Sequence, residues 1–315
     1  NKWVETSGAS KEYLKFRTTI RDYYLNRYST RNGIDPKTFN PGNCWVSRLA
    51  FEPKVGLFAI DTILNATIQS EKLKIFHRTR AIQVYSERLK NGRVKVKSVI
   101  TANLDSGEII EFRPKVCIDG TELGDLLPLA GLEYSYGPES KDDTGEPHAP
   151  EKADQENVQD FVYPFVVEYC PNQDHTITKP RRYDELNGKG QFSFLGYKMF
   201  DCVEDINDDG KRELLPFWTY RRLIDREIFQ DLAYSNDIAM INWESNDVRG
   251  ANIIDKAPTE IVEKIALAKS VSLGFLYWLQ TEAPREDGKT GYPELKLRED
   301  ILQTPDGLSK YPYIR

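Results

Sequence analysis

The chain has 315 residues, 39% hydrophobic and 29% charged, with 43 basic against 49 acidic side chains. That balance describes a globular protein with a sizeable core, as one large domain or two ordinary ones. A net charge of −6 excludes an extended phosphate-binding surface, and no apolar run approaches the roughly 20 residues that cross a bilayer, so neither nucleic acid nor membrane is an expected partner.

Residues 10–28 place Tyr13, Phe16, Ile20, Tyr23 or Tyr24 and Arg27 at three- and four-residue spacing, an amphipathic helix with Ser10 as its N-cap. A turn-rich stretch from Asn32-Gly33 to Asn40-Pro41-Gly42-Asn43 follows. Pro53 then opens a second helix whose apolar stripe runs Leu57, Ile60, Leu64, Ile68. Between 73 and 118 the period falls to two. LKIFHRTRAIQVYS, an Asn91-Gly92 turn, VKVKSVITANL, a turn at Asp105-Ser106-Gly107 and EIIEF predict a hairpin and a further strand, and KVCID a last short one. Residues 137–159 are acidic, proline-rich and nearly free of apolar side chains, a surface excursion or a lid over a site. FVYPFVVEY at 161–169 and the aromatic stretches 192–200 and 212–222 read as β; a long apolar helix lies between Pro258 and Pro284.

The richest chemistry lies where the strand Val116-Cys117-Ile118 breaks into Asp119-Gly120-Thr121 and an acidic turn. A Gly-Thr pair at a strand end lets a ligand approach the backbone, with hydroxyl and amides free for phosphate or ribose oxygens. The same residues also suit a plain strand-to-helix turn with Thr121 as N-cap. INWESNDVRG (241–250) sets Trp243 among Asn242, Asn246, Asp247 and Arg249, a composition for a hydroxylated substrate such as a sugar or for a packed tryptophan behind a polar turn. Arg221, beside Tyr220, is a partner for a substrate carboxylate or for cofactor phosphates. His148, on the acidic excursion, is a candidate acid/base or an exposed loop histidine. Asp205-Ile206-Asn207-Asp208-Asp209-Gly210 starts like a calcium loop, but Pro216 stands where the twelfth-position glutamate belongs, so a hairpin turn is expected. The scattered Cys44, Cys117, Cys170 and Cys202, with only three histidines, predict free thiols and no metal site.

A helix, LKIFHRTRAIQVYS, a hairpin and then KVCIDGTELGDLLPLAG together resemble flavin-dependent oxidoreductases of the glutathione-reductase-like superfamily. There a three-stranded meander ends in a strand reading roughly v-I-D-A-T-G-x-G-D. Here Gly120 replaces the alanine and Glu122 the first glycine. Asn40 to Arg48, Gly145 to Pro150, Ile241-Asn242-Trp243 and Gly274 to Glu282 resemble the branch of bacterial FAD-dependent oxidoreductases.

The resemblance implies FAD as cofactor and hydride transfer with an organic substrate. It implies cofactor contacts from Asp119, Gly120, Thr121, Glu122, Gly124 and Asp125, from Ala81 of the meander, and from Trp45, Ser47 and Arg48. Asn242, Trp243, Asn246 and Arg221 would face the substrate, with His148 as catalytic residue. The implied fold is α/β plus α+β: part of an FAD-binding domain, built of helix and meander, with a mixed sheet-and-helix substrate domain. Its divisions would be a helical segment at 1–43 near the flavin, cofactor residues 44–131, substrate residues 132–270, and a helix returning to the cofactor at 271–315. No strand-GxGxxG-helix unit occurs in the sequence, so the resemblance implies an interior segment of a longer flavoenzyme, with a cytoplasmic location expected. The rival reading is a carbohydrate-binding or carbohydrate-cleaving protein without flavin.

Overall fold

The computed structural model describes residues 7–207, 210–230 and 233–314. Helix α1 (Lys11–Arg27) starts at Ser10, whose hydroxyl accepts the Tyr13 amide hydrogen at 3.1 Å, as its N-cap position predicts. It packs on α2 (Pro53–Gln69), which opens at Pro53. The buried face of α2 is Val55, Gly56 and Ala59, while Leu57, Ile60 and Ile68 are exposed. The predicted stripe is therefore not the packed one. Small residues win the contact because Gly56 lets the Phe51 ring come within 2.8 Å of where a Cβ would stand.

Strands β1 (Thr79–Arg88), β2 (Val94–Asn103) and β3 (Ile109–Phe112) form the antiparallel meander that their alternation predicts. Gly92 takes the left-handed conformation the hairpin needs, at φ 80°. Helix α3 (Leu126–Leu129) lies on β1 over a small core of Val84, Val99 and Ala130. KVCID is a correction: no strand forms there, and Val116 and Ile118 are 76% and 86% exposed. Its apolar residues have strand propensity, but no described strand pairs with them.

The excursion is exposed as expected and carries a one-turn helix, α4 (Lys141–Thr144), capped reciprocally by Ser140 and Asp143. It is pinned by Lys141 N to Pro150 O at 2.8 Å and Asp154 N to Pro138 O at 3.1 Å. Asn252 Nδ2 also donates to Gln155 O, at 3.1 Å.

Next come β4 (Phe161–Val162), β5 (Phe165–Tyr169), α5 (Tyr183–Gly188), β6 (Val203–Asn207), β7 (Gly210–Leu214), β8 (Arg222–Ile224), β9 (Ile238–Ile241) and β10 (Asp247–Val248). Helix α6 (Pro258–Thr281), β11 (Leu295–Leu297), α7 (Glu299–Leu302) and β12 (Tyr313–Ile314) complete the order. Strands pair as β11-β5-β9-β8 and β10-β4-β12. Along β5, Phe165 and Val167 face a core shared with Val271, Phe275 and Leu279 of α6, and Val166 faces one shared with Ile20, Tyr24 and Val55. The period of two thus sandwiches the four-stranded sheet between α6 and the α1–α2 pair.

Every strand pair among the described residues is antiparallel, so the α/β part of the expectation gives way to α+β. The aromatic stretch 192–200 is a second correction. Positive φ at Leu195 (53°) and Gly196 (86°) breaks it, and Phe192, Phe194 and Met199 enter the core from a loop. The hairpin expected around 205–210 forms as β6–β7, with Asp208 and Asp209 outside the described residues. Helix α6 runs unbroken through 270 and 271.

Candidate functional site

The turn after the meander is organised by Asp119. Its Oδ1 accepts the Thr121 amide at 2.9 Å and hydroxyl at 2.7 Å, and its Oδ2 accepts the Leu126 amide at 3.0 Å. Thr121 Oγ1 in turn accepts the Asp125 amide at 2.7 Å. What burial there is raises the Asp119 pKa, but the hydrogen bonds from Thr121 and Leu126 outweigh it and hold the carboxyl below its usual range. Asp119, Thr121 and Asp125 thus fold the turn on itself. Gly124 sits at φ 69° and Gly120 faces open space, with nothing within 4 Å of a Cβ built there. Among the described residues the amides of Glu122 and Leu123 donate to no protein acceptor.

Beside the turn is a cleft of about 520 Å³. Glu122 and Leu123 form one edge, and Tyr136, Gly137, Pro138 and Asn157 to Gln159 of the excursion form another. Phe161, Ala251, Ile253, Ile254 and Ile314 complete an apolar floor. An apolar cavity with a few polar groups at its rim, in this size range, is the usual form of a small-molecule site. Of the predicted cofactor residues only Glu122 lines it. Its other walls had no signal in the sequence except the excursion itself: Ile314 reaches Phe161 only because β12 pairs with β4.

A second cluster joins residues predicted for cofactor and for substrate. Gly42 allows the 40–48 loop to press on β8, since a Cβ there would meet Arg222 O at 1.7 Å. Arg222 Nε donates back to Gly42 O at 2.8 Å. The loop is tightened by Asn40 Nδ2 donating to Ser47 O at 3.3 Å and by Ser47 Oγ, which accepts the Leu49 amide at 3.2 Å. It delivers Trp45 to Tyr220 (ring centroids 4.6 Å) and to Tyr197 (6.4 Å), and Trp45 Nε1 donates to Pro216 O at 3.0 Å. Trp243 meets Tyr197 at 5.0 Å and Tyr220 at 5.2 Å, and the Arg221 guanidinium lies 4.9 Å from the Tyr220 ring centre. Asn246 is fully buried and its Oδ1 accepts the Trp243 amide at 2.6 Å, closing the turn that holds the indole. Asn242 is buried beside it, whereas Arg48 is exposed. Tyr197, which sequence reasoning missed, lies in the loop mistaken for a strand.

Ala81 sits half-buried at the bulge in β1, packed on the small meander core. His148 is exposed on the excursion and is not among the residues lining the cleft. The four cysteines are free, and no metal-binding cluster exists among the described residues.

A family model for FAD dependent oxidoreductases matches residues 2–315. The chain belongs to that family. It is an oxidoreductase enzyme, a flavoprotein with FAD as cofactor. Comparison with curated proteins and with solved structures gave no match. The carbohydrate-cleaving alternative has no support. The residues of this flavoenzyme fit the cofactor at the turn, where open space over Gly120 and unpartnered amides at Glu122 and Leu123 adjoin a partly apolar cleft. Among the described residues no helix is long and apolar enough to cross a membrane.

Proposed function

We propose that this oxidoreductase oxidises an organic small molecule, with residues 119–124 against the cofactor and the Trp45–Tyr220–Trp243 cluster against the substrate. The observation that carries the reading is the meeting of Glu122 and Leu123 with the cleft of about 520 Å³. Bound FAD supplies a two-electron acceptor for a hydride from a substrate carbon. The chain's own part is binding and orientation. The Glu122 and Leu123 amides offer hydrogen bonds to cofactor oxygens, and Leu123, Ile253 and Ile254 offer apolar contact to a ring. The excursion, tied down by the Lys256–Glu156 pair at 2.5 Å, forms one wall of the cleft. His148 remains the candidate for carrying the substrate's proton, since it stands on the excursion and a histidine can both take and release one.

The test is anaerobic addition of candidate alcohols, amines and sugar derivatives to the FAD-loaded protein. Substrate should bleach the visible flavin band, and air should restore it. A loaded protein that stays oxidised with every class, while dithionite still reduces it, would overturn the hydride-transfer reading.

A further inference from the structure

The cleft of about 520 Å³ beside the turn is one-sided in charge. Of the described side chains lining it, only Glu122 is charged, and no lysine, arginine or histidine is among them. The Glu122 carboxylate makes no hydrogen bond or ion pair with the described protein. The lysines beside the floor are already engaged. Lys256, two residues beyond Ile254, pairs with Glu156 at 2.5 Å. Lys264 of α6 pairs with Glu260 at 2.5 Å and donates to Asn252 O at 2.6 Å. Glu122 also stands where the resembled flavoproteins carry glycine, so this carboxylate is a feature of this chain.

The rest of the lining suits a flat ring. Tyr136 and Phe161 supply aromatic surface, and Leu123, Ile253 and Ile254 supply aliphatic surface. Asn157 and Gln159, both exposed to the cleft, bring side-chain amides that have no partner among the described residues. Each amide carries a donor and an acceptor. A hydrocarbon would leave both unmatched, whereas the edge of a heteroaromatic ring presents donors and acceptors side by side. A phosphate would meet a carboxylate that no cation neutralises.

We propose that the cleft takes an uncharged heteroaromatic end of FAD and that Glu122 keeps phosphate out of it. Asn157 and Gln159 hydrogen-bond the ring edge, and the pyrophosphate lies outside the cleft. The inference rests on the cofactor reading and deepens it, by naming which chemistry of the cofactor enters. Isoalloxazine and adenine share that chemistry, and the experiment separates them.

Equilibrium dialysis of the protein against riboflavin, FMN, adenosine, AMP and FAD tests it. At low salt one nucleoside-type ligand, riboflavin or adenosine, should bind at least about three-fold more tightly than its own phosphate, the scale of one charge repelling another roughly 10 Å away in water. Preference for riboflavin assigns the flavin end to the cleft, and preference for adenosine the adenine end. High salt should close the gap between each ligand and its phosphate, because exposed charges are screened. Glu122→Gln, an exposed position, should close it at low salt. Gln159→Leu should weaken the preferred ligand about five-fold, the scale of one neutral hydrogen bond. Phosphates that bind as tightly as their parents, or a gap unchanged in Glu122→Gln, overturn the proposal. FAD bound without any such gap sinks the ring-end assignment alone, and a gap without FAD binding sinks the cofactor reading alone.

Discussion

Asp119 shows how one carboxylate serves both readings of the same short sequence. Its oxygens hold the Thr121 and Leu126 amides, so Asp119→Ala should cost on the order of 1 kcal/mol by comparison with lost helix caps, measured by chemical denaturation. Its folded-state pKa is lowered, so the stabilisation is complete above the unfolded value and is lost as pH falls through the folded one. The turn should therefore loosen below about pH 4, near the ordinary aspartate range, with faster amide exchange at Thr121 and Leu126. The residue types were legible in the sequence. That Asp119 binds its own turn was not, because a cap and a cofactor contact call for the same side chains. Glu52 was silent for a different reason. It is 3% exposed and accepts Tyr234 Oη at 2.7 Å and Tyr24 Oη at 3.4 Å, partners 182 and 28 residues away. Glu52→Ala leaves both hydroxyls buried without their acceptor and should cost about 3 kcal/mol, read in the same denaturation experiment.

At the scale of elements, what could be read was local. Ser10, Pro53 and Asn91-Gly92 act within a few residues of themselves, and each starts or turns the element it predicts. What failed depended on neighbours. The stripe of α2 and the strand at KVCID have the right composition, but which face is covered is decided by partners far along the chain. Gly42 is the clearest case of a demand imposed from outside its own loop. Its hydrogen faces the backbone of β8, which cannot move aside as a side chain could. Gly42→Ala should lie at or beyond the upper end of the ~1–3 kcal/mol typical of overpacking. A melting temperature unchanged by that substitution would refute the docking of the 40–48 loop on β8.

For the whole molecule, helices and meander were foreseeable, and the antiparallel sheet between α6 and the α1–α2 pair was not. Its strands are three to five residues long and pair across large gaps, such as β5 with β9 and β11. Short strands leave too little alternation to distinguish a pairing partner. The candidate site spans the same distances, so sequence motifs found its pieces without its assembly. Glu122, the excursion, Ile253 and Ile314 meet at one cleft only in the folded chain. The central claim is that the turn at residues 119–124 lies against FAD. Gly120 allows a direct test, because a Cβ added there meets no protein atom within 4 Å. The measurement is FAD titration of the wild-type protein and Gly120→Val by quenching of flavin fluorescence, beside their melting temperatures. The account predicts equal melting temperatures and an affinity at least roughly ten-fold weaker in the variant, about 1.4 kcal/mol. Equal affinities in two equally stable proteins would contradict it.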